Sequence, residues 1–239
     1  MHRRTVLTGL CLAPLLAAGC APWREDGPER GRDGFGRAHT VAAARGERDT
    51  AALTVVSGAT TVTVRAADLG DDLFRVSTPE DSGISPDMIE SGGRHQLHLS
   101  STGDHGPAVV EVLLNEQVRW DLRFSGGATE TLVDMGTGRL GGLDFTAGSS
   151  RIEAVLPRPE GTRTVRMAGG ASDFLVRAPQ GVPVRVSAGG GAADVTVDGQ
   201  RRSGVAGGSV FAPPGWDTAA DRYDVDAVAG VSSLTVTRA

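Results

Sequence analysis

Lysine is absent from this 239-residue chain: all 24 of its basic residues are arginine. Without lysine there is no Ser–Lys dyad, and no GxSxG motif marks a serine nucleophile. Aromatic residues make up only 4%, and there are 2 cysteines. With 34 glycines, 12 prolines and 39% hydrophobic residues, this composition suits one β-rich domain of moderate size better than a helical enzyme, and it can fill a sizeable core. The apolar run at 6–18 is too short for an ordinary membrane span. A net charge of −5 gives no reason to expect a nucleic-acid partner. The bias toward Ala, Gly, Val, Asp and Arg looks like translation from a GC-rich genome of actinobacterial type, by association only.

The N-terminus, MHRRTVLTGLCLAPLLAAGC, joins Arg3 and Arg4 to an apolar stretch and then to small residues before Cys20. That order describes an export signal. LAAGC resembles the lipobox of bacterial lipoproteins, which implies cleavage after residue 19, diacylation of Cys20 and anchoring to the outer face of the cell membrane. Arg3-Arg4-Thr5-Val6-Leu7 also resembles a twin-arginine export motif, and a plain basic start explains the same residues. On the lipobox reading Cys11 leaves with the signal and Cys20 becomes a thioether, so the mature chain has neither a free thiol nor a disulfide. Residues 20–50 carry charges of both signs without apolar periodicity and are expected to form a disordered tether with a reach on the order of 30 Å. The folded domain is expected over 51–239.

Within that domain the glycines mark a repeat. Gly127, Gly148, Gly170 and Gly191 are spaced 21, 22 and 21 residues apart, and Gly58 and Gly230 begin and end the series. The fifth and third residues before each glycine are Leu53 and Val55, Leu122 and Phe124, Leu143 and Phe145, Val165 and Met167, Val186 and Ala188, Val225 and Ala227. The fourth and sixth residues after are Val62 and Val64, Thr131 and Val133, Ile152 and Ala154, Phe174 and Val176, Val195 and Val197, Leu234 and Val236. All but Thr131 are apolar, and polar residues such as Arg123, Asp144, Arg166 and Asp226 stand between them. Each unit therefore reads as strand, glycine turn, strand, with one buried face. Four buried aliphatic side chains contribute roughly 6–12 kcal/mol. Ordering about 20 backbone residues costs at least as much, so one unit cannot stand alone and several must stack.

The runs WDLRFSGGATETLVDM, VLPRPEGTRTVRMAGGASDFLVRAP, GVPVRVSAGGGAADVTVDG and RYDVDAVAGVSSLTV resemble the toastrack, or adhesin-type, β-solenoid domain. That domain also forms the C-terminal part of Lia-type envelope-stress regulators. The resemblance spans about residues 50–239 and implies an all-β, right-handed β-helix-like solenoid. It further implies envelope sensing, adhesion or scaffolding, and it carries over no catalytic residue, cofactor or metal.

Motifs that could bear chemistry read as structure. Gly136-Thr-Gly138-Arg-Leu-Gly141 matches GxGxxG, but a strand follows where a dinucleotide site needs a helix. His95 and His98 lie three apart on a strand, so they face opposite sides, and with His105 they are expected at the surface. Asp221, Asp224 and Asp226 lack the glycine and closing glutamate of a calcium loop. Arg123, Asp144, Arg166 and Asp226 are the nearest approach to the charged groove of a polysaccharide-cleaving solenoid, the enzymatic alternative. An accessory subunit of a membrane signalling system is a third reading.

Two places break the period. In residues 67–119 a short helical turn is expected from Ser85, with room for about three less regular units. Between Gly191 and Gly230 the spacing is 39, and the extra segment holds Arg201, Arg202, Phe211 and Trp216. These four form the candidate contact loop for a cell-wall glycan, an anionic ligand or an envelope protein, with Trp216 and Phe211 also suited to capping the stack.

Overall fold

A computed structural model describes residues 39–239. The expected signal at 1–19, Cys20 and the expected tether up to residue 38 lie outside the described residues. The described chain is nearly all strand, with one 3-10 turn at Trp216–Thr218.

Seven coils, each one strand from either of two facing sheets, build the stack. In chain order they are β2 (Thr50–Val55) with β3 (Ala59–Ala67), β6 (Arg94–Ser101) with β7 (Val109–Asn115), and β8 (Arg119–Phe124) with β9 (Ala128–Asp134). Then follow β10 (Arg139–Phe145) with β11 (Ser149–Val155), β12 (Thr162–Met167) with β13 (Ala171–Ala178), β14 (Val184–Ala188) with β15 (Ala192–Val197), and β18 (Arg222–Ala227) with β19 (Val231–Arg238). The remaining strands are β1 (Thr40–Ala44), β4 (Asp72–Ser77), β5 (Ile84–Ser91), β16 (Gln200–Val205) and β17 (Ser209–Phe211). The ten-stranded sheet runs β1-β4-β7-β3-β9-β11-β13-β19-β15-β16, and the nine-stranded sheet runs β17-β14-β18-β12-β10-β8-β2-β6-β5.

The register matches the glycine alignment. Leu53, Leu122, Leu143, Val165, Val225 and Val186 form one inward row across neighbouring parallel strands. Val62, Thr131, Ile152, Phe174, Leu234 and Val195 form its counterpart in the other sheet. Every aligned inward side chain is buried except Val197, which is half-buried. Thr131, the polar member, is itself buried, and its hydroxyl lies 3.0 Å from that of Ser149.

At the corners the chain of one coil runs against that of the next. A Cβ on Gly58 would stand 2.8 Å from the carbonyl oxygen of Gly127, and one on Gly148 would stand 2.8 Å from that of Gly169. Glycine is needed there for close approach, not for an unusual φ.

Stack order departs from chain order at both ends. The last coil, β18–β19, lies between β12–β13 and β14–β15, and the first, β2–β3, lies between β6–β7 and β8–β9. Each terminal coil is thus held on both sides by parallel neighbours and exposes no sheet edge of its own.

Three expectations are corrected. The folded part begins by Thr40, not residue 51, because β1 pairs antiparallel with β4 and sets Val41 and Ala43 against the core. No helical turn starts at Ser85. β5 covers it and pairs antiparallel with β6, with Pro86 accommodated on an edge strand. Residues 67–119 hold one further coil plus β4 and β5, not three units.

Candidate functional site

The two ends of the stack differ. At one end the edge strands β1 and β5 pack against each other. At the other, β16 and β17 are the last strands of their sheets, and a cavity of about 460 Å3 lies between them. Its floor is Val184, Val195 and Val197, and its sides include Gln200, Arg202 and Phe211.

Local sequence explains this opening. Asp198 (φ 49) and Gly199 (φ 80) make the two-residue turn of a hairpin that folds β16 back on β15. The pairing sets Gln200 opposite Val197 and Arg202 opposite Val195. Both therefore occupy inward positions, where other strands carry aliphatic side chains. On the facing sheet Phe211 lies opposite the inward Val186. The core thus ends in a polar and aromatic rim, and the cavity is where the next coil's side chains would pack.

Of the four residues expected to gather in a contact loop, two line this cavity together. The guanidinium carbon of Arg202 stands 5.5 Å from the centre of the Phe211 ring. Arg201 faces the outer side and grips Asp194 through two bonds of 3.0 and 2.7 Å, which holds that carboxylate below its ordinary range. Trp216 is buried and leaves the site. Its ring packs against the guanidinium groups of Arg185 (3.9 Å) and Arg222 (4.4 Å), and its indole N–H donates to the Tyr223 carbonyl at 2.8 Å. It lies outside the apolar core, against Arg185 of β14 and Arg222 of β18. The Asp198 carboxylate is held by Arg238 at 2.7 and 2.6 Å, so Arg202 is the one charge on the cavity lining without an ionic partner among the described residues.

Elsewhere several outward charges are paired between coils, and Asp226 is not among them. Asp144 meets Arg123 at 3.1 Å and Arg166 at 3.4 Å, tying three neighbouring coils. Glu153 accepts from Arg151 at 2.9 Å and Arg177 at 2.8 Å, and these bonds pull its pKa down against the opposing cost of burial. Arg185 grips Asp224 at 2.9 and 2.7 Å, while Asp221 accepts from the Gly161 N–H at 2.6 Å, so these two acids point to separate partners. Gly136 lies in the turn before β10, as a strand-turn-strand reading of its motif requires. His95 and His98 face opposite sides, but His95 is not at the surface. It is buried edge-on to Phe74, ring centres 5.2 Å apart, and desolvation lowers its pKa.

No protein-family model matches the chain, and no curated protein matches its sequence. Among solved structures, it is similar to a "putative cell adhesion protein" of Clostridium sporogenes, with TM-score 0.60 and 12% identity, over 84% of this chain and 98% of that one. That likeness is one of fold, and it extends over nearly the whole of that protein. A "putative adhesin" of Bacteroides fragilis aligns over 83% of this chain and 95% of its own at 11% identity, with a TM-score of 0.23, too low to bear on the fold.

Proposed function

We propose that this protein is a non-catalytic, adhesin-like binding module of the cell envelope, anchored through lipidated Cys20 and making contact through the open end of its stack. One contrast carries the reading. Of the two outward acids nearest to a glycan-cleaving groove, Asp144 is held by Arg123 and Arg166, which tie coil to coil, and this leaves Asp226 without the second free carboxylate that such cleavage uses. The open end instead offers a half-apolar cavity rimmed by an arginine without an ionic partner. The first arrangement stabilises the stack, and the second has binding capacity left over. The fold shared with a protein described as a cell adhesion protein supports the same reading. A stiff solenoid on a lipid anchor is suited to holding such an end away from the membrane.

The test is to incubate the purified full chain with cell-wall glycan and envelope fractions and measure both retention and release of reducing ends. Retention without release is expected. Release of reducing ends or unsaturated sugars would replace the proposal with an enzyme. Radioactive palmitate should label the wild-type chain and leave Cys20→Ala unlabelled.

A further inference from the structure

We infer that the open end receives an extended acidic peptide of a partner protein, which adds as a strand to the outer edge of β16. One of its apolar side chains fills the cavity, and a carboxylate meets Arg202. This rests on the proposal that the end is a binding surface, and it names the chemistry of the partner.

Three observations converge on that occupant. First, β16 and β17 end their sheets, so each has an outer edge with backbone donors and acceptors that no strand among the described residues engages. An added strand satisfies such an edge by main-chain hydrogen bonds and sends alternate side chains to opposite faces. Second, the inward side chains of a strand beside β16 would enter the space between the sheets. That space has a floor of Val184, Val195 and Val197, and its volume is typical of ligand pockets, ~300–1,000 Å3. Third, Arg202 points inward at that place and has no carboxylate partner among the described residues, whereas its neighbours Arg201, Arg238 and Asp198 are all paired. A guanidinium in a half-apolar setting favours a planar carboxylate.

Charge also argues against a second copy of this chain. Antiparallel pairing of two β16 strands would bring the Arg201–Arg202 pair of one chain near that of the other, and like charges across a strand pair repel. Val210 beside the cavity is 59% exposed, so the site is open to an incoming chain.

Random octapeptides displayed on phage can be selected on the immobilised full chain and counter-selected on Arg202→Gln. The enriched peptides should alternate apolar residues and carry an acid. A synthetic representative should bind wild type at least tenfold more tightly than Arg202→Gln by fluorescence anisotropy. A proline at its centre should abolish binding, since proline removes a ladder donor. Val197→Phe, which fills the cavity from a half-buried position without adding charge, should also lose the peptide while melting as wild type does. Failure to enrich any peptide, enrichment without an acid, or equal binding to Arg202→Gln would overturn the inference. So would binding of phosphatidylglycerol vesicles in place of peptides, or self-association of Arg202→Gln with no peptide bound by wild type, which would leave Arg202 an edge guard only. If the full chain retains envelope material but selects no peptide, the binding proposal stands and this inference alone falls.

Discussion

Arg238, one residue from the C-terminus, closes a two-point ion pair on Asp198, 2.7 and 2.6 Å, and donates to the Val182 carbonyl at 2.7 Å. The last strand therefore fastens the turn that carries β16 and with it one wall of the cavity. Asp198 is the only non-glycine residue with positive φ among the described residues, a conformation that asparagine and aspartate tolerate best. Arg238→Ala should cost only about 1 kcal/mol in global stability, because the pair is partly exposed. Amide hydrogen exchange in Gln200–Val205 should nonetheless speed up well beyond the rest of the molecule. Uniform exchange rates across all strands would contradict this local role.

Trp216 packs against two guanidinium groups and is buried to 5% exposure. Trp216→Ala removes that packing and the indole hydrogen bond to the Tyr223 carbonyl. A loss of about 3–5 kcal/mol is expected in urea denaturation. An unchanged midpoint would show that this packing does not stabilise the fold.

His95 gives the domain an acid sensitivity. Its folded-state pKa is lowered, first by burial and then by Arg48, with Glu90 opposing. Below the ordinary histidine value of about 6.5 the unfolded chain therefore takes up a proton before the folded one does. This contribution is fully present above that value and is lost as pH falls through the folded-state pKa. The thermal midpoint should drop across that interval in wild type, and the drop should shrink in His95→Phe. Equal slopes in the two proteins would contradict the assignment.

Insertion of the last coil makes a covalent prediction. Leu175 of β13 faces Thr235 of β19, and Thr235 faces Thr196 of β15, whereas Leu175 and Thr196 are two strands apart. Neighbouring strands lie about 4.8 Å apart, within disulfide reach, and alternate strands do not. In a Cys11→Ala, Cys20→Ala background, Leu175→Cys with Thr235→Cys should oxidise to a disulfide, and Leu175→Cys with Thr196→Cys should not. The opposite pattern would restore a stack in chain order.

The interior of each coil was legible in the sequence, because a glycine corner fixes which residues on either side point inward. Thr131 lost nothing by being polar, since Ser149 in the next coil meets its hydroxyl. The order of coils was not legible. Val225 and Leu234 carry the same local pattern as Val186 and Val195, and nothing local says which neighbours they take. The candidate site was half legible. The break in period points to Arg202 and Phe211, but it says nothing of Asp198-Gly199, a strong two-residue hairpin signal. That hairpin is what turns Arg202 inward and leaves Arg201 outside. His95 shares strand parity with the buried Leu97, a pattern that places it inside. β1 was missed because TVAAA offers only small side chains to an apolar count.

Binding at the end of the stack, and not along its walls, is tested most directly by hydrogen exchange of the full chain with and without a retained envelope fraction. Slowed exchange confined to Gln200–Val205 and Ser209–Phe211 is the predicted result. Slowing along the outward faces of β8 to β13, with none in those two strands, would contradict it.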